Sequence, residues 1–296
     1  MNDVLAWGLD VVRFAQRCVS PGLTPLVKAI TFLGTEWFFL AALPLVYWCV
    51  DRRRGARLGL LVFVSTFFNA WLKVLWAQPR PYQLDPSLGL AFETSYGLPS
   101  GHAQSSATFW GGAAPLFRRP WGLLLALALP LAIGWTRLYL GVHFPTDLAA
   151  GWALGALFVA AERLLGDRIE AFLAGLRPQL KLAAAAAVAL AMNALFMKDT
   201  SLSGAFFGFS AGLIYAPAAA PFSAEGPAAK RAARYLLGLA TVGLVYGAPK
   251  LLLGAAGSEP LVRFLRYAAV ASWAALGAPW LFLKLGLAER EGEAGA

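Results

Sequence analysis

Residues 120–138, PWGLLLALALPLAIGWTRL, are apolar over nearly their whole length and can form one membrane crossing. A hydrocarbon core of about 30 Å needs roughly 20 apolar residues in a helix. The 296-residue chain is 59% hydrophobic and only 14% charged, and its mean hydropathy is +0.61. These values are typical of proteins with several membrane spans rather than of soluble domains. The sequence therefore predicts an all-α integral membrane protein.

Nine apolar stretches of this kind follow one another along the chain. They lie approximately at 34–50, 58–76, 103–117, 120–138, 147–163, 182–197, 202–222, 235–253 and 265–284. Several are shorter than ideal, so their ends must rely on long Lys and Arg side chains that reach the headgroups, or on local thinning of the bilayer. The predicted architecture is a polytopic helical bundle with about nine transmembrane helices.

The chain carries 25 Lys and Arg against 16 Asp and Glu, a net charge of +9, which could suggest nucleic-acid binding. Instead, the basic residues cluster in alternate connections between the predicted spans: Arg52, Arg53, Arg54 and Arg57; Arg118 and Arg119; Arg163, Arg168, Arg177 and Lys181; Lys230, Arg231 and Arg234. Such connections are typically cytoplasmic. We therefore expect a multi-pass membrane protein with no nucleic-acid partner, whose connections 77–102 and 139–146 face outward.

The first 18 residues, MNDVLAWGLDVVRFAQRC, mix charged and apolar side chains and lack the uninterrupted core of a signal peptide. We interpret them as an amphipathic helix lying at the membrane interface, with a tenth, poorly apolar span as the alternative.

Polar residues in unusual places for a membrane protein lie almost entirely before about residue 165. The sequence therefore predicts four regions: a membrane core with the N-terminal helix at 1–165, a cytoplasmic linker helix at 166–181, a C-terminal four-span module at 182–287 and a disordered tail at 288–296. The module is rich in small residues that suit close helix packing in lipid. Its role is left open between an accessory module, a homo-oligomer interface and a lipid-handling domain.

Polar clusters fall in the two connections predicted to face outward. The stretch LKVLWAQPRPY contains Lys73, a costly buried ammonium unless it meets an anion, and Arg80, whose planar donors suit phosphate oxygens. In the stretch PSGH, Ser100 can cap the following helix and Gly101 lets backbone amides approach a ligand. Because the N-terminus of a helix attracts anions, these residues together indicate an anion site.

The stretch TRLYLGVHFPTD, residues 136–147, supplies Arg137, His143 and Asp147. A carboxylate four residues after a histidine can hold the proton on one ring nitrogen, which leaves the other nitrogen free as a nucleophile. His102 falls in the first turn of the helix that follows PSGH, beside any anion bound there. Both histidines of the chain thus belong to the same predicted site.

Each of these features alone has a plainer explanation. A single Lys or Arg at the end of a span is usually a headgroup anchor, a Ser-Gly pair is usually only a cap, and an interfacial histidine is often simply solvated. Their concurrence in two connections on one predicted side favours an anion-handling catalytic site. We expect no metal ion or other cofactor, because these connections hold no carboxylate cluster suited to Mg²⁺ or Zn²⁺.

The three stretches together resemble the three-part signature of the type 2 phosphatidic acid phosphatase superfamily, which also includes glucose-6-phosphatase and the vanadium haloperoxidases. The resemblance covers about residues 20–165, and the strings SYGLPSGHAQ and RLYLGVHFPTD are similar to bacterial members. The third motif of the family usually opens with Ser, whereas this chain has Thr136, which keeps the hydroxyl.

The resemblance implies a role for each site residue. His143 attacks phosphorus and becomes a phosphohistidine, Asp147 orients it, and His102 protonates the leaving alkoxide. The phosphoryl oxygens are held by the remaining residues: Lys73, Arg80, Ser100, Gly101 and Arg137.

The resemblance to bacterial members implies a bacterial inner-membrane protein whose site faces the periplasm or exterior. The predicted function is metal-independent hydrolysis of a lipid phosphate or diphosphate at the outer face of that membrane. Candidate substrates are undecaprenyl diphosphate, phosphatidylglycerophosphate and phosphatidate; the first is preferred because the site is predicted to face outward. One alternative is a lipid transporter or flippase that uses the pocket only to bind headgroups, and another is an enzyme like the vanadium haloperoxidases. The His143–Asp147 pair counts against the first alternative, and nine predicted spans count against the second.

Overall fold

The computed structural model describes residues 3–253 and 259–292, and these residues form an all-helical chain. Its helices are α1 Asp3–Ala15, α2 Leu23–Phe32, α3 Glu36–Cys49, α4 Arg52–Trp76, α5 Pro81–Leu84, α6 Gly101–Ala113, α7 Arg119–Tyr139, α8 Pro145–Ala174, α9 Pro178–Leu195, α10 Ser201–Ala219, α11 Ala228–Leu253, α12 Pro260–Ser272 and α13 Ala278–Lys284. A π-helical turn, Trp273–Gly277, joins α12 to α13. Extended pairing in this part of the chain is limited to one isolated bridge, Phe222 with Arg290. The all-α prediction is confirmed.

Five helical segments among the described residues are long and apolar enough to cross a membrane: Arg52–Leu84, Arg119–Tyr139, Pro145–Ala174, Pro178–Leu195 and Ser201–Ala219. The pair α2 and α3, bent by 48°, makes a sixth if it is one broken span. The predicted count of nine is therefore not confirmed. The stretch at 103–117 shows why: α6 has only 13 residues, about 20 Å at 1.5 Å per residue, which is too short to cross the hydrocarbon core alone.

The chain forms two compact units. The first comprises the residues up to 39 together with 65–164, and the second comprises 40–64 together with the residues from 165 onward. Residues 40–64 thus belong to the second unit, whereas the sequence-based division assigned them to the core at 1–165. All residues of the predicted site belong to the first unit. Which region performs chemistry stays a prediction.

In the first unit, α1 buries one face and exposes the other. Leu9 and Val12 pack with Leu88 and Phe144, while Trp7 is 54% exposed. With 13 residues, α1 is too short to cross a bilayer, so the structure favours the interfacial interpretation over a tenth span.

Gln16, directly after α1, supports the end of α7. Its side-chain amide donates to the carbonyls of Tyr139 at 3.0 Å and Leu88 at 2.8 Å. The carbonyl of Tyr139 is one of the last of α7 and has no helical partner of its own. Gly141 then turns the chain with a φ of +70°, a conformation that glycine adopts without strain. This turn leads α7 into His143.

In the second unit, α10 and α12 pack with very close backbones. A Cβ atom added at Gly208 would lie 2.0 Å from the Ala268 carbonyl oxygen, so only glycine permits this approach. Tyr47 Oη and Trp48 Nε1 donate to the carbonyls of Ala275 and Ala274, each at 2.9 Å. Both carbonyls lie in the π-helical turn. Small residues therefore pack helices closely here, as expected for this region.

Two predicted segments differ from the structure. The linker helix expected at 166–181 is not a separate element, because α8 continues to Ala174 and α9 begins at Pro178. No proline interrupts the chain between Pro145 and Pro178, so nothing stops α8 earlier. The tail expected to be disordered from 288 is ordered through 292: Ala288 is buried, and the Glu291 amide donates to the Pro221 carbonyl at 2.7 Å. Residues 293–296 lie outside the described residues.

Candidate active site

His143 and Asp147 lie at the beginning of α8. Because the helix starts at Pro145, the four-residue spacing brings His143 Nδ1 to 3.0 Å from Asp147 Oδ2. The same oxygen accepts the Phe144 amide at 3.0 Å, and Asp147 Oδ1 accepts from Gln78 Nε2 at 2.6 Å. Both His143 and Asp147 are buried. The carboxylate is thus held on both oxygens and orients the imidazole.

The other ring nitrogen of His143 faces Arg80, whose Nη1 lies 3.2 Å from Nε2. A guanidinium can only donate hydrogen bonds, so Nε2 must carry a lone pair and the ring proton lies on Nδ1, toward Asp147. Burial lowers the pKa of His143 well below its ordinary value, and the nearby charges of Arg80 and Lys73 act in the same direction. The imidazole is therefore neutral at pH 7, as a nucleophile requires.

All five N–H donors of Arg80 are engaged. Nε donates to the Ser95 carbonyl at 2.6 Å, Nη2 to Ser95 Oγ at 3.0 Å and the Tyr96 carbonyl at 3.1 Å, and Nη1 to the Val142 carbonyl at 2.8 Å besides its contact with His143. A phosphoryl oxygen can bind Arg80 only by exchanging with one of these partners. The contact with His143 Nε2 is the one that involves the predicted nucleophile.

Lys73 lies near the end of α4 and is buried. Its ammonium donates to the Tyr96 carbonyl at 2.5 Å and to the Gly97 carbonyl at 3.3 Å. The Gly97 amide in turn donates to the Gln78 carbonyl at 2.9 Å. The segment 93–97 is therefore tied to both Lys73 and Arg80.

Ser100 is the N-cap of α6, and its Oγ accepts the Ala103 amide at 3.4 Å. The Ser100 amide donates to the Asp147 carbonyl at 2.9 Å, which ties the beginning of α6 to the beginning of α8. Gly101 is the first residue of α6, and a Cβ atom there would lie 3.2 Å from Asn69 Oδ1. The first turn of α6 thus lies close to α4.

A buried polar ladder fixes α6 against α4. Asn69 Nδ2 donates to Gln104 Oε1 at 2.8 Å, Gln104 Nε2 donates to Ser65 Oγ at 3.0 Å and to the Ser65 carbonyl at 2.7 Å, and Ser65 Oγ lies 2.9 Å from Thr108 Oγ1. All four side chains are buried. Buried polar groups are expensive unless each is paired, so this ladder selects one register of α6 relative to α4.

Arg137 lies in the last turn of α7 with 3% of its surface exposed. Its Nη1 donates to Thr31 Oγ1 at 2.8 Å, and its Nη2 pairs with Glu93 Oε1. The guanidinium is thus shared between α2 and the segment 93–97. Thr136, the residue that departs from the usual motif, is buried and donates to the Ile133 carbonyl at 2.5 Å within α7.

His102 lies in the first turn of α6, within electrostatic range of Arg137, Lys73 and Arg80. His143 is likewise in range of His102. A Cβ atom at Gly34 would come within 3.0 Å of His102 Cδ2, so the turn between α2 and α3 packs against the ring. The structure therefore brings all eight predicted site residues into one cluster.

Several contributors to the site were not identified from the sequence. Gln78, Ser95 and Glu93 bind the side chains of Asp147, Arg80 and Arg137, respectively, and Thr31 approaches Arg137 from α2. Gln78 is the first residue of the QPRP stretch and could have been suspected from that position. Thr31 and Glu93 are more than 40 residues from Arg137 in the sequence and belong to no motif.

Among the residues that the structure describes, no group of three or more His, Cys, Asp or Glu side chains could hold a metal ion. The anionic groups nearest the cations, Asp147 and Glu93, are each bound to an amide or a guanidinium.

Comparison with known proteins places this arrangement in a family. The family described as the PAP2 superfamily matches residues 54–169, and the one described as the PAP2 superfamily phosphatase, transmembrane extension, matches residues 200–290. The undecaprenyl-diphosphatase of Sulfolobus acidocaldarius is 32% identical over 143 residues, which are 45% of this chain and 66% of that protein. The chain thus spans just under two thirds of that relative.

Two further relatives are informative. The decaprenylphosphoryl-5-phosphoribose phosphatase of Mycobacterium tuberculosis is 30% identical over 139 residues, which are 46% of this chain and 76% of that protein. The crystal structure described as the first transmembrane PAP2 type phosphatidylglycerolphosphate phosphatase from Bacillus subtilis matches with a TM-score of 0.50 and 26% identity, over 57% of this chain and 89% of that one. The matches to the family and to these relatives agree with the helical membrane architecture, and the chain belongs to the PAP2 superfamily.

Proposed function

We propose that this chain is a lipid phosphatase that hydrolyses a lipid phosphate or diphosphate through a phosphohistidine on His143, without a metal ion. The observation that carries the proposal is the state of His143: a neutral imidazole that is held by Asp147 at Nδ1 and turns its Nε2 lone pair toward Arg80. Three cations and the first turn of α6 surround it. The names of the relatives, each a phosphatase of a lipid-linked phosphate, support the choice of substrate class.

The reaction proceeds in two steps. First, the lone pair of His143 Nε2 attacks phosphorus and the bond between phosphorus and the leaving oxygen breaks. His102 gives that oxygen a proton; burial and the three cations lower the pKa of His102, and the negative charge of the bound phosphoryl group raises it again so that the ring can hold this proton. Then a water molecule attacks the phosphohistidine, His102 takes a proton from the water, and the bond between nitrogen and phosphorus breaks to release inorganic phosphate. Lys73, Arg80 and Arg137, with Ser100 and the Gly101 amide, stabilise the charge on the phosphoryl oxygens in both steps.

Undecaprenyl diphosphate is the preferred substrate, ahead of phosphatidylglycerophosphate and phosphatidate. The preference rests on an active site at the outer face of a bacterial inner membrane, where this carrier lipid is released as the diphosphate. The basic connections 51–57 and 118–119 support that orientation by the positive-inside rule. In intact spheroplasts, an impermeant thiol reagent should label a cysteine introduced at Asp85 and not one introduced at Arg54; the reverse pattern would overturn the orientation.

The activity is tested with the purified full-length protein in detergent, presented with the three lipids. Phosphate release is expected from at least one of them, to persist in excess chelator, and to be inhibited by vanadate, which mimics the trigonal-bipyramidal phosphoryl group. A His143→Ala variant provides the inactive control.

Loss of activity on chelation, with recovery on adding Mg²⁺, would exclude the metal-independent mechanism. A protein that binds the three lipids but releases no phosphate from any of them would favour a headgroup-binding transporter instead.

A further inference from the structure

The Arg137 guanidinium has one nitrogen, Nε, that makes no hydrogen bond in the structure. Nη1 is bound by Thr31 and Nη2 by Glu93, but Nε is buried and has no hydrogen-bond partner. A buried donor without a partner is costly, and such groups are rare in folded proteins. We therefore expect a ligand to bind the unpaired Nε.

The free donor and the donor bound by Glu93 lie on the same edge of the guanidinium. Nε and one Nη together form the fork that binds two oxygens of a carboxylate or a phosphate at once. Glu93 contacts only the Nη2 arm of this fork, through Oε1. A phosphoryl group with oxygens on both arms would satisfy Nε but would compete with Glu93 for Nη2.

Glu93 can leave Arg137 without a change in its own backbone. Its carbonyl accepts from Tyr82 Oη at 2.7 Å, and its amide donates to the same oxygen at 3.2 Å. The side chain, in contrast, is 33% exposed. A rotation about the side-chain bonds is therefore enough to move the carboxylate from Arg137 to water.

We propose that the Glu93 carboxylate is a displaceable occupant of the phosphoryl-binding edge of Arg137, and that Glu93 thereby sets the affinity of the site for phosphate oxygens. The inference rests on the proposed function, in which Arg137 binds the phosphoryl group. In the structure, Glu93 balances one of three neighbouring positive charges. When a phosphoryl group binds Nε and Nη2, Glu93 turns to solvent.

A fixed clamp is the competing role for Glu93. If its carboxylate remained on Arg137 and oriented the guanidinium for the substrate, removing it would weaken phosphate binding. A displaceable occupant has the opposite effect, because its removal abolishes the competition. The sign of the change in affinity therefore separates the two roles.

The test compares Glu93→Gln and Glu93→Ala with the unmodified full-length protein, and Asp85→Asn serves as the matched control. Asp85 is a carboxylate in the same connection that pairs with Arg13 at 2.8 Å and has no contact with Arg137 in the structure. Binding of inorganic phosphate is measured by ³¹P line broadening, and KM and kcat are measured with p-nitrophenyl phosphate.

We expect both Glu93 variants to bind inorganic phosphate more tightly and to show a lower KM, each by about fivefold, from the loss of one partly exposed ionic contact. The kcat should stay within about twofold, because the competition affects the ground state and the transition state alike. The Asp85→Asn variant should behave like the unmodified protein.

Unchanged or weaker phosphate binding in both Glu93 variants would overturn the inference. Tighter phosphate binding in a protein that turns over no substrate would support the inference and overturn the proposed function. No phosphate binding by the unmodified protein or by either variant would overturn the inference, whereas the proposed function is decided by phosphate release from the three lipids.

Discussion

At the residue scale, His143 is held between two groups that determine its protonation. Arg80 can only donate, so it fixes the lone pair on Nε2, while the Asp147 carboxylate holds the ring orientation through Nδ1. In the structure, Arg80 therefore covers the nitrogen that the proposed mechanism uses as the nucleophile. A phosphoryl oxygen that takes the Arg80 Nη1 donor would uncover Nε2 at the moment when phosphorus is within reach.

The two histidines are expected to respond differently to the leaving group. His143→Ala should abolish turnover of every substrate, because no phosphohistidine can form. His102→Ala should lower kcat/KM by about 10²–10⁴-fold on a lipid monophosphate, because the leaving alkoxide needs a proton. It should lose far less on p-nitrophenyl phosphate, whose leaving group is stable without one. The measurement is kcat/KM of each variant on both substrates; equal losses on the two would assign His102 to binding or structure.

The residues that could be predicted at this scale are those with short-range patterns. Asp147 follows His143 at the spacing of one helical turn, and Ser100 precedes a helix that it caps. Local sequence patterns were therefore enough to predict both residues. Glu93 and Thr31 reach Arg137 from distant parts of the chain. Their contacts depend on tertiary packing, which leaves no local pattern in the sequence.

At the element scale, the short helix α6 shows why hydropathy alone overestimates the number of membrane spans. Its hydrophobic run predicted a full span, but the helix has 13 residues and carries four buried polar side chains: Gln104, Ser106, Thr108 and its N-cap Ser100. These residues serve the site rather than the lipid. The hydropathy of the run predicts that α6 is buried, but it does not distinguish burial in protein from burial in lipid.

The ladder between α4 and α6 should be critical for both stability and activity. Gln104→Leu would leave Asn69 Nδ2 with one partner and the buried Ser65 carbonyl with no side-chain donor, at a cost of about 1–3 kcal/mol. We expect a lower melting temperature in detergent and a reduced kcat/KM, since the first turn of α6 carries Gly101 and His102.

Ser105→Ala is the matched control for this variant. It lies next to Gln104, is only partly buried and makes no hydrogen bond among the described contacts. Its melting temperature should be nearly unchanged. Equal melting temperatures for the Gln104→Leu and unmodified proteins would show that the ladder does not hold α6.

At the scale of the whole molecule, the chain separates the predicted chemistry from the second unit. Every site residue lies in the first unit, and the second unit has its own core around Tyr47, Trp48, Phe222 and Phe282. The sequence predicted the C-terminal module from its change in composition near residue 165. It could not show that residues 40–64 join that module, because the apolar composition of a segment does not specify which apolar segment it packs against.

This division suggests a test of the second unit that keeps the chain whole, since deleting residues from about 180 onward would also uncover Tyr47 and Trp48. Gly208→Ala places a Cβ atom 2.0 Å from the Ala268 carbonyl oxygen, so α10 and α12 must separate, at a cost of about 1–3 kcal/mol. Gly243→Ala, in α11 of the same unit, is the control. Its added Cβ atom meets no atom within 4 Å, and the change should be neutral or slightly stabilising, because alanine favours a helix over glycine.

We expect Gly208→Ala to lower the melting temperature. The folded enzyme should keep its kcat on p-nitrophenyl phosphate within about twofold, because every predicted site residue lies in the first unit. A kcat that falls with Gly208→Ala but not with Gly243→Ala would mean that the second unit takes part in the chemical step, and the catalytic region would then have to extend beyond residue 165.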